Sequence, residues 1–348
     1  MFLDEIQACE PAITALRYFK EQIPELHVIA AGSLINFTLK KVGMPVGRVT
    51  FLHIYPLSFD EYLIANNQQY LLDYKNQHHV ESPLHEKLLT ELKHYLWLGG
   101  MPAVVDAWLK FQDIQRCQHL QDSILQAYRN DFPKYAKSHQ INRVDKVFSQ
   151  LCQQVGSKFT YRQVDQTERA AVLKEALFLL QEAGIAYLAH HTAAQGLPLG
   201  ATINEKKFKV FFFDVGLMQR MLGLNLHAWL NEPIAVTHMG AICEQFVAQE
   251  YLAYLPNHVQ SSLYYWHREQ RTSNAEIDFV FVVHDTILPV EVKSGAKGRL
   301  KSLHLFLETH PQCQQGLKIS EQLAGSPTDL IRSVPLYKIS SLFLGSAS

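Results

Sequence analysis

The chain has 348 residues and a mass of 39.8 kDa, with 47% hydrophobic and 19% charged positions, which excludes a disordered tail or a mini-protein and leaves room for two to three domains of about 150 residues each. Thirty-two Lys and Arg stand against 33 Asp and Glu, a formal charge of −1, so no global positive field draws the protein onto nucleic acid or acidic membranes and any such binding has to be local. The five cysteines (Cys9, Cys117, Cys152, Cys243, Cys313) are odd in number and form no C-x-x-C pair, which argues against a disulfide framework or a zinc ribbon and for a reducing cytoplasm.

No run approaches the roughly 18 apolar residues of a membrane span; the most apolar, Val210 to Met218, is interrupted by Asp214. The start, Met1-Phe2-Leu3-Asp4-Glu5, lacks the basic and apolar regions of a secretory signal. A soluble, cytoplasmic protein is expected, without a membrane partner.

From Phe2 to Leu57 the pattern predicts strand, helix, strand, turn, strand: Phe2-Leu3, a helix over Pro11 to Gln22, then Leu26 to Ala31 and Val49 to Ile54. Such alternation points to a parallel α/β sheet. The piece is shorter than the roughly 100 residues of a whole nucleotide-binding domain and reads as the second half of one. Helical spacing follows from Phe59 to Asn130, with Leu84, Leu88, Leu89, Leu92, Tyr95 and Leu96 three and four residues apart and a break at Gly99-Gly100-Met101-Pro102.

Next come a helix near Val144 to Gln154, a short segment Phe159 to Val164, and a helix Glu168 to Glu182 stopped by Gly184. Strands Ile185 to His190 and Phe208 to Phe213 complete an order that suits a winged helix and equally an interdomain spacer that binds nothing. The last third predicts a helix over Gly240 to Leu252, strands Leu263 to His267, Ala275 to Val283 and Ile287 to Val292, a helix Leu300 to Leu307 and a strand Leu317 to Ile319.

The chemistry concentrates in Ala275 to Lys293. A two-residue turn at His284-Asp285 sets Asp278 opposite Glu291 and Glu276 opposite Lys293 on one face, while Ile277, Phe279, Phe281, Val290 and Val292 take the other. Two carboxylates about 5 Å apart at Cβ repel unless a cation lies between them. Mg²⁺ is such a cation, hard and satisfied by one or two carboxylates with waters and a phosphate oxygen. In metal-assisted phosphodiester hydrolysis, Lys293 would position the water or stabilise developing charge. Glu244, on the preceding helix, would add a third carboxylate, and Lys293, Lys297, Arg299 and Lys301 form a basic strip able to hold phosphates. The alternative is an amphipathic hairpin whose polar face is merely solvated. The adjacent pairs His78-His79 and His190-His191 read as surface residues, because neighbouring side chains diverge.

Several strings carry a resemblance: FLDEIQ (Phe2 to Gln7), AAGSL (Ala30 to Leu34), GRV (Gly47 to Val49), PLSFDEYL (Pro56 to Leu63), GGMPAVV (Gly99 to Val105), KFKVFFFDVGL (Lys207 to Leu217), YYWHRE, AEIDFVF and PVEVKSG. With these the chain resembles a prokaryotic family of AAA-type ATP-binding proteins, in which the ATPase core is followed by a winged helix and a C-terminal domain similar to the PD-(D/E)XK restriction-endonuclease fold. The resemblance implies a multidomain α/β protein: a partial ATPase core at 1–62, a helical subdomain at 63–140, a winged-helix-like domain at 141–225 and a nuclease-like domain at 226–348. It also implies that Asp4 and Glu5 are the Walker B pair, Ser33 a sensor-like residue and Arg48 an arginine finger or sensor. Asp278, Glu291 and Lys293 then match the nuclease motif, with Glu244 as the early helical acid.

The family's G-x-x-x-x-G-K-[ST] phosphate loop is missing; GAKGRLKS at Gly295 to Ser302 has the wrong spacing. The chain therefore reads as an N-terminally truncated relative that does not hydrolyse ATP alone, and its start codon is itself open to question. Its nuclease-like domain is expected to bind Mg²⁺ and act on DNA. Two alternatives stay open: a non-catalytic DNA- or protein-binding module, and a decayed fragment whose apolar half-sheet needs a homo-oligomer or another protein partner.

Overall fold

The computed structural model describes residues 1–32, 35–42, 47–77, 82–224, 239–258, 262–270, 273–294, 300–323 and 330–344. The architecture is mixed α/β, with several small, partly parallel sheets. None of the described helices is long and apolar enough to cross a membrane.

At the N-terminus β1 (Phe2–Leu3) pairs in parallel with β2 (Ile29–Ala30), Phe2 opposite Ile29, across helix α1 (Glu10–Gln22), which starts with Pro11 in its first turn. Helix α2 (Ile35–Val42) follows. The strand expected at Val49 to Ile54 does not form. Its apolar alternation finds no neighbouring ladder among the described residues, Ile54 is 96% exposed, and the His53 amide donates to the Asn257 carbonyl instead.

Helices α3 (Phe59–Ala65), α4 (Gln69–Asn76), α5 (Ser82–Leu98), α6 (Pro102–Phe111) and α7 (Ile114–Tyr135) form the helical region. Ser58 and Glu61 close a reciprocal capping box at the start of α3, which explains the S-F-D-E string. Leu88, Leu92, Tyr95 and Leu96 of α5 are fully buried, the face that the spacing predicts. Then come α8 (Ile141–Leu151), a 3-10 turn, α9 (Tyr161–Val164), α10 (Ala170–Glu182), β3 (Ala186–Thr192), β4 (Ile203–Phe212) and α11 (Val215–Leu222).

The GGMP and FDVGL strings lock together. A Cβ on Gly216 would lie 2.4 Å from the Gly99 nitrogen, so α11 reaches the end of α5 only because no side chain intervenes. Asp214 caps α11 by accepting from the Leu217 amide at 2.8 Å.

The C-terminal third runs α12 (Met239–Tyr254), β5 (Leu263–Gln270), β6 (Ser273–Ile277), β7 (Phe279–Val283), β8 (Thr286–Val292), α13 (Lys301–Thr309), β9 (Gly316–Ser320) and β10 (Ile331–Pro335), the last not anticipated, and closes with a 3-10 helix, Leu336–Leu342. Two four-stranded sheets result, ordered β4-β3-β5-β6 and β10-β9-β8-β7. In the first, β3 pairs antiparallel with β4 and parallel with β5, so strands on either side of residue 225 share one sheet.

The β7–β8 hairpin has the expected register, Phe279 opposite Val290, and its turn residues His284 and Asp285 both take positive φ (46° and 58°). The expected strand Ala275 to Val283 is interrupted at Asp278: β6 belongs to one sheet and β7 to the other. Glu276 consequently pairs with His267 of β5 and not with Lys293. Asp278 holds the break, its Oδ2 accepting the Val292 amide at 2.8 Å. Phe279, Phe281, Val290 and Val292 enter the larger core, while Ile277, Val280 and Ile287 pack with Leu303 and Phe306 of α13 in a second. The hairpin is thus buried on both faces, which removes the solvated-face reading.

Helix α12 has buried residues on every side, including Gln245, Gln249 and Glu250. Each polar group has a partner: Gln245 brackets the Phe212 backbone, Gln249 accepts from the Val215 amide and donates to the Tyr95 hydroxyl, and Glu250 accepts from the Phe59 amide. His190 and His191 are half-buried in β3, contrary to the surface reading, because β3 is an inner strand between β4 and β5. His78 and His79 lie outside the described residues.

Candidate functional site

Where β4 passes α12 and the β6–β7 break, four carboxylates and two lysines gather. Lys209 of β4 has a side chain only 1% exposed, and its Nζ lies 2.6 Å from Glu276, 3.3 Å from Glu244 and 3.6 Å from Asp278. Glu291 of β8 is buried beside Asp278, and its Oε1 accepts from the Lys293 ammonium. The other oxygen, Oε2, is buried without a hydrogen-bond partner among the described residues.

Fully ionised, four acids against two ammoniums leave an excess of two negative charges in a poorly solvated place. The acids respond accordingly. Burial pushes the Glu244 carboxyl up to about 8, with Asp278 and Glu276 adding to the shift and Lys209 opposing it. Burial and the Asp278 charge push Glu291 up to about 7 against the pull of Lys293 and Lys209. Burial alone would lower the Lys209 ammonium, but Glu244, Asp278 and Glu276 outweigh it and hold the proton above the ordinary lysine range.

The sequence-derived residues Glu244, Asp278, Glu291 and Lys293 therefore do meet, but Glu244 is paired to Lys209. Lys209 was not anticipated. Its signal was available: it sits between Phe208 and Val210 and alternates onto the face of buried Phe211, and a charge on a buried face requires partners. Of the basic strip, Lys301 opens α13, whereas Lys297 and Arg299 lie outside the described residues.

As a magnesium site the donor set is chemically apt, since Asp278 and Glu291 are hard oxygen ligands and Glu291 Oε2 is open. Magnesium keeps several waters and needs only one or two carboxylates. Among the described residues no three His, Cys, Asp or Glu side chains gather closely enough to hold an ion between them, so a fit rests on the Asp278–Glu291 pair alone.

The N-terminal candidates lie elsewhere. Asp4 and Glu5 follow β1, and the Ile6 amide donates to the Ala31 carbonyl just past β2, so both acids sit at the carboxyl ends of two parallel strands. That edge is where open α/β sheets bind ligands. Asp4 Oδ1 accepts from the Glu5 amide, and Glu5 has φ of +50°. Arg48 is ion-paired to Glu21 of α1 at 2.8 Å. Ser33 lies outside the described residues.

Residues 1–63 match the family model of an AAA domain, residues 89–228 that of a domain of unknown function (DUF8612), and residues 239–339 that of another (DUF4143). The matches support an AAA-type ATPase-like family. No curated protein and no solved structure matches the chain. The carboxylate centre spans two of the three stretches, with Lys209 in the second and Glu244, Glu276, Asp278, Glu291 and Lys293 in the third.

Proposed function

We propose that this chain is an AAA-type ATPase-like protein whose C-terminal third resembles a PD-(D/E)XK nuclease and hydrolyses DNA phosphodiester bonds with Mg²⁺, without turning over ATP on its own. The observation that carries the reading is Glu291 Oε2, a buried carboxylate oxygen with no hydrogen-bond partner among the described residues, beside a second carboxylate and a lysine. Asp278 and Glu291 would hold the ion, which would polarise a phosphoryl oxygen and lower the pKa of a bound water. Lys293, already on Glu291, would orient that water or stabilise charge on the phosphate. ATP turnover is not expected because the sequence contains no loop to wrap phosphates in backbone amides.

The test is cleavage of plasmid and single-stranded DNA with Mg²⁺ or Mn²⁺ by the full chain, Glu291→Ala and Lys293→Ala. Cleavage lost in both variants supports the reading; a folded wild-type chain that cuts neither substrate with either metal overturns it.

The second reading, a non-catalytic DNA- or protein-binding module, is favoured by Lys209, whose ammonium already serves three of the carboxylates. Exposed Phe2, Ile29, Leu52 and Ile54 near the N-terminus support a protein partner or a second copy for either reading. Metal-independent retention of DNA in a mobility-shift assay, without cleavage, would select this module.

A further inference from the structure

We infer that Lys293 has a second seat: the Ser320 hydroxyl receives its ammonium whenever Glu291 is engaged by another partner, which makes Ser320 a positioning residue of the carboxylate centre. The role in catalysis rests on the hydrolytic reading, whereas the second seat itself does not.

The placement follows from strand register. β8 and β9 run in parallel, with Glu291 opposite Lys318 and Val292 opposite Ile319. The Lys293 amide donates to the Ile319 carbonyl at 2.8 Å, which carries the ladder one residue further. Lys293 and Ser320 are therefore the next neighbours, across a strand spacing of about 4.8 Å. Side chains alternate along each strand, and Val292 and Ile319 enter the larger core, so Glu291, Lys293 and Ser320 project from the opposite face.

Ser320 is an anomaly in that place. It is 1% exposed, and its Oγ has no hydrogen-bond partner among the described residues. Folding alone gives no reason to keep a buried hydroxyl that bonds to nothing. Lys293, for its part, has donors to spare. An ammonium carries three N–H groups, and among the described residues the Lys293 side chain bonds only to Glu291 Oε1.

One lysine thus lies between two acceptors, the carboxylate two residues back on its own strand and the hydroxyl on the neighbouring strand. The charged acceptor is the stronger, which keeps the ammonium on Glu291. Once Glu291 turns its oxygens to another partner, the ammonium crosses to Ser320. One N–H is then fixed by the hydroxyl, and the other two are left to face a phosphate.

The experiment is a double-mutant cycle read by thermal unfolding of the full chain, Ser320→Ala, Glu291→Met and the double variant. Glu291→Met removes the carboxylate and keeps a side chain of similar length. Ser320→Ala is expected to leave Tm unchanged or raised in the otherwise native chain, because it deletes a hydroxyl that bonds to nothing. In the Glu291→Met background it is expected to lower Tm by about 2 °C or more, because the hydroxyl is then the seat that remains. Equal shifts in the two backgrounds overturn the inference. So does a Ser320→Ala chain that loses stability or fails to fold, since the hydroxyl would then be structural. Should Glu291→Met not fold, Glu291→Gln, whose neutral amide holds the ammonium less firmly, takes its place with the same outcomes.

Cleavage kinetics test the positioning role. In a chain that cuts DNA, Ser320→Ala is expected to lower kcat about tenfold with KM unchanged. An unchanged kcat overturns the positioning role and leaves the hydrolytic reading intact. A wild-type chain that cuts nothing overturns that reading and the positioning role together, and the thermal cycle still decides the second seat.

Discussion

Asp214 Oδ2 accepts the Gly100 amide at 2.7 Å, tying the loop after α5 to the cap of α11 across 114 residues. Asp214 is fully buried and also accepts from the Leu217 amide. Asp214→Ala strands at least two buried donors, at roughly 1–3 kcal/mol each. A loss on the order of 3 kcal/mol is expected in urea unfolding. A loss below about 1 kcal/mol would show that water enters to serve those amides.

Lys75 is a second fully buried lysine, with Nζ 2.5 Å from Asp60 Oδ1 and bonded to the Ser340 hydroxyl, which in turn donates to Asp60 Oδ2. It fastens α4 and α3 to the C-terminal 3-10 helix. Lys75→Met leaves Asp60 as an uncompensated buried charge, for which about 3–5 kcal/mol of destabilisation is expected. Lys75→Met/Asp60→Leu should recover much of it. A double variant no more stable than the single one would show that the pair is not the source of the loss.

Stability should depend on pH through Glu250. Burial, with the Asp60 charge, pushes its carboxyl up to about 8, against the Phe59 amide and Lys75, which pull it down. The folded state therefore binds this proton more tightly than the unfolded state, whose value is near the ordinary 4.5 of a glutamate. The contribution is fully present below about 4.5 and is lost as pH rises toward 8, at no more than about 1.4 kcal/mol per pH unit. Glu250→Gln, which can still accept from Phe59, should flatten the unfolding free energy between pH 5 and 8 relative to wild type. An unchanged slope in that window would mean that Glu250 is ionised throughout.

Gly216→Ala should be among the more damaging single-methyl additions in the chain, because the atoms its Cβ would meet at 2.4 Å are backbone atoms of Leu98 and Gly99. Overpacking of this kind costs about 1–3 kcal/mol. Thermal unfolding would check it, with Gly240→Ala, which meets nothing within 4 Å, as the control.

Phosphate release from ATP by the full chain should not exceed background. Turnover that Glu5→Gln abolishes would show that phosphates are gripped by groups other than a glycine-rich loop.

The local grammar of the chain was readable. The His284-Asp285 turn and the alternation beside it fix the β7–β8 register, and the spacing of Leu88, Leu92, Tyr95 and Leu96 marks the buried face of α5. Relationships that depend on a distant neighbour were not. Val49 to Ile54 alternates like a strand, but strand formation needs a ladder alongside and none of the described residues supplies one. Asp278 looks like one residue of a continuous strand, and its bend follows from the competing pull of β5 and β8 on the two sides of it. Of the centre, Glu244, Asp278, Glu291 and Lys293 could be named from motif positions, whereas the alternation of β4 marks Lys209 only as a buried charge in need of partners, and which partners it has shows only once β4 is laid against α12.

The parallel ladder between β3 and β5, Ala189 opposite Leu263, also bears on how the polypeptide can be divided. A protease nick anywhere between Leu224 and Met239 would leave both fragments in one complex, held by that ladder and by the Gln245 and Gln249 bonds to Phe212 and Val215. Fragments synthesised separately would each present an unpaired strand edge, β3 on one and β5 on the other, a template for self-association. Co-expression of the two halves, rather than isolation of either, is the route by which a split form of this protein would stay in solution.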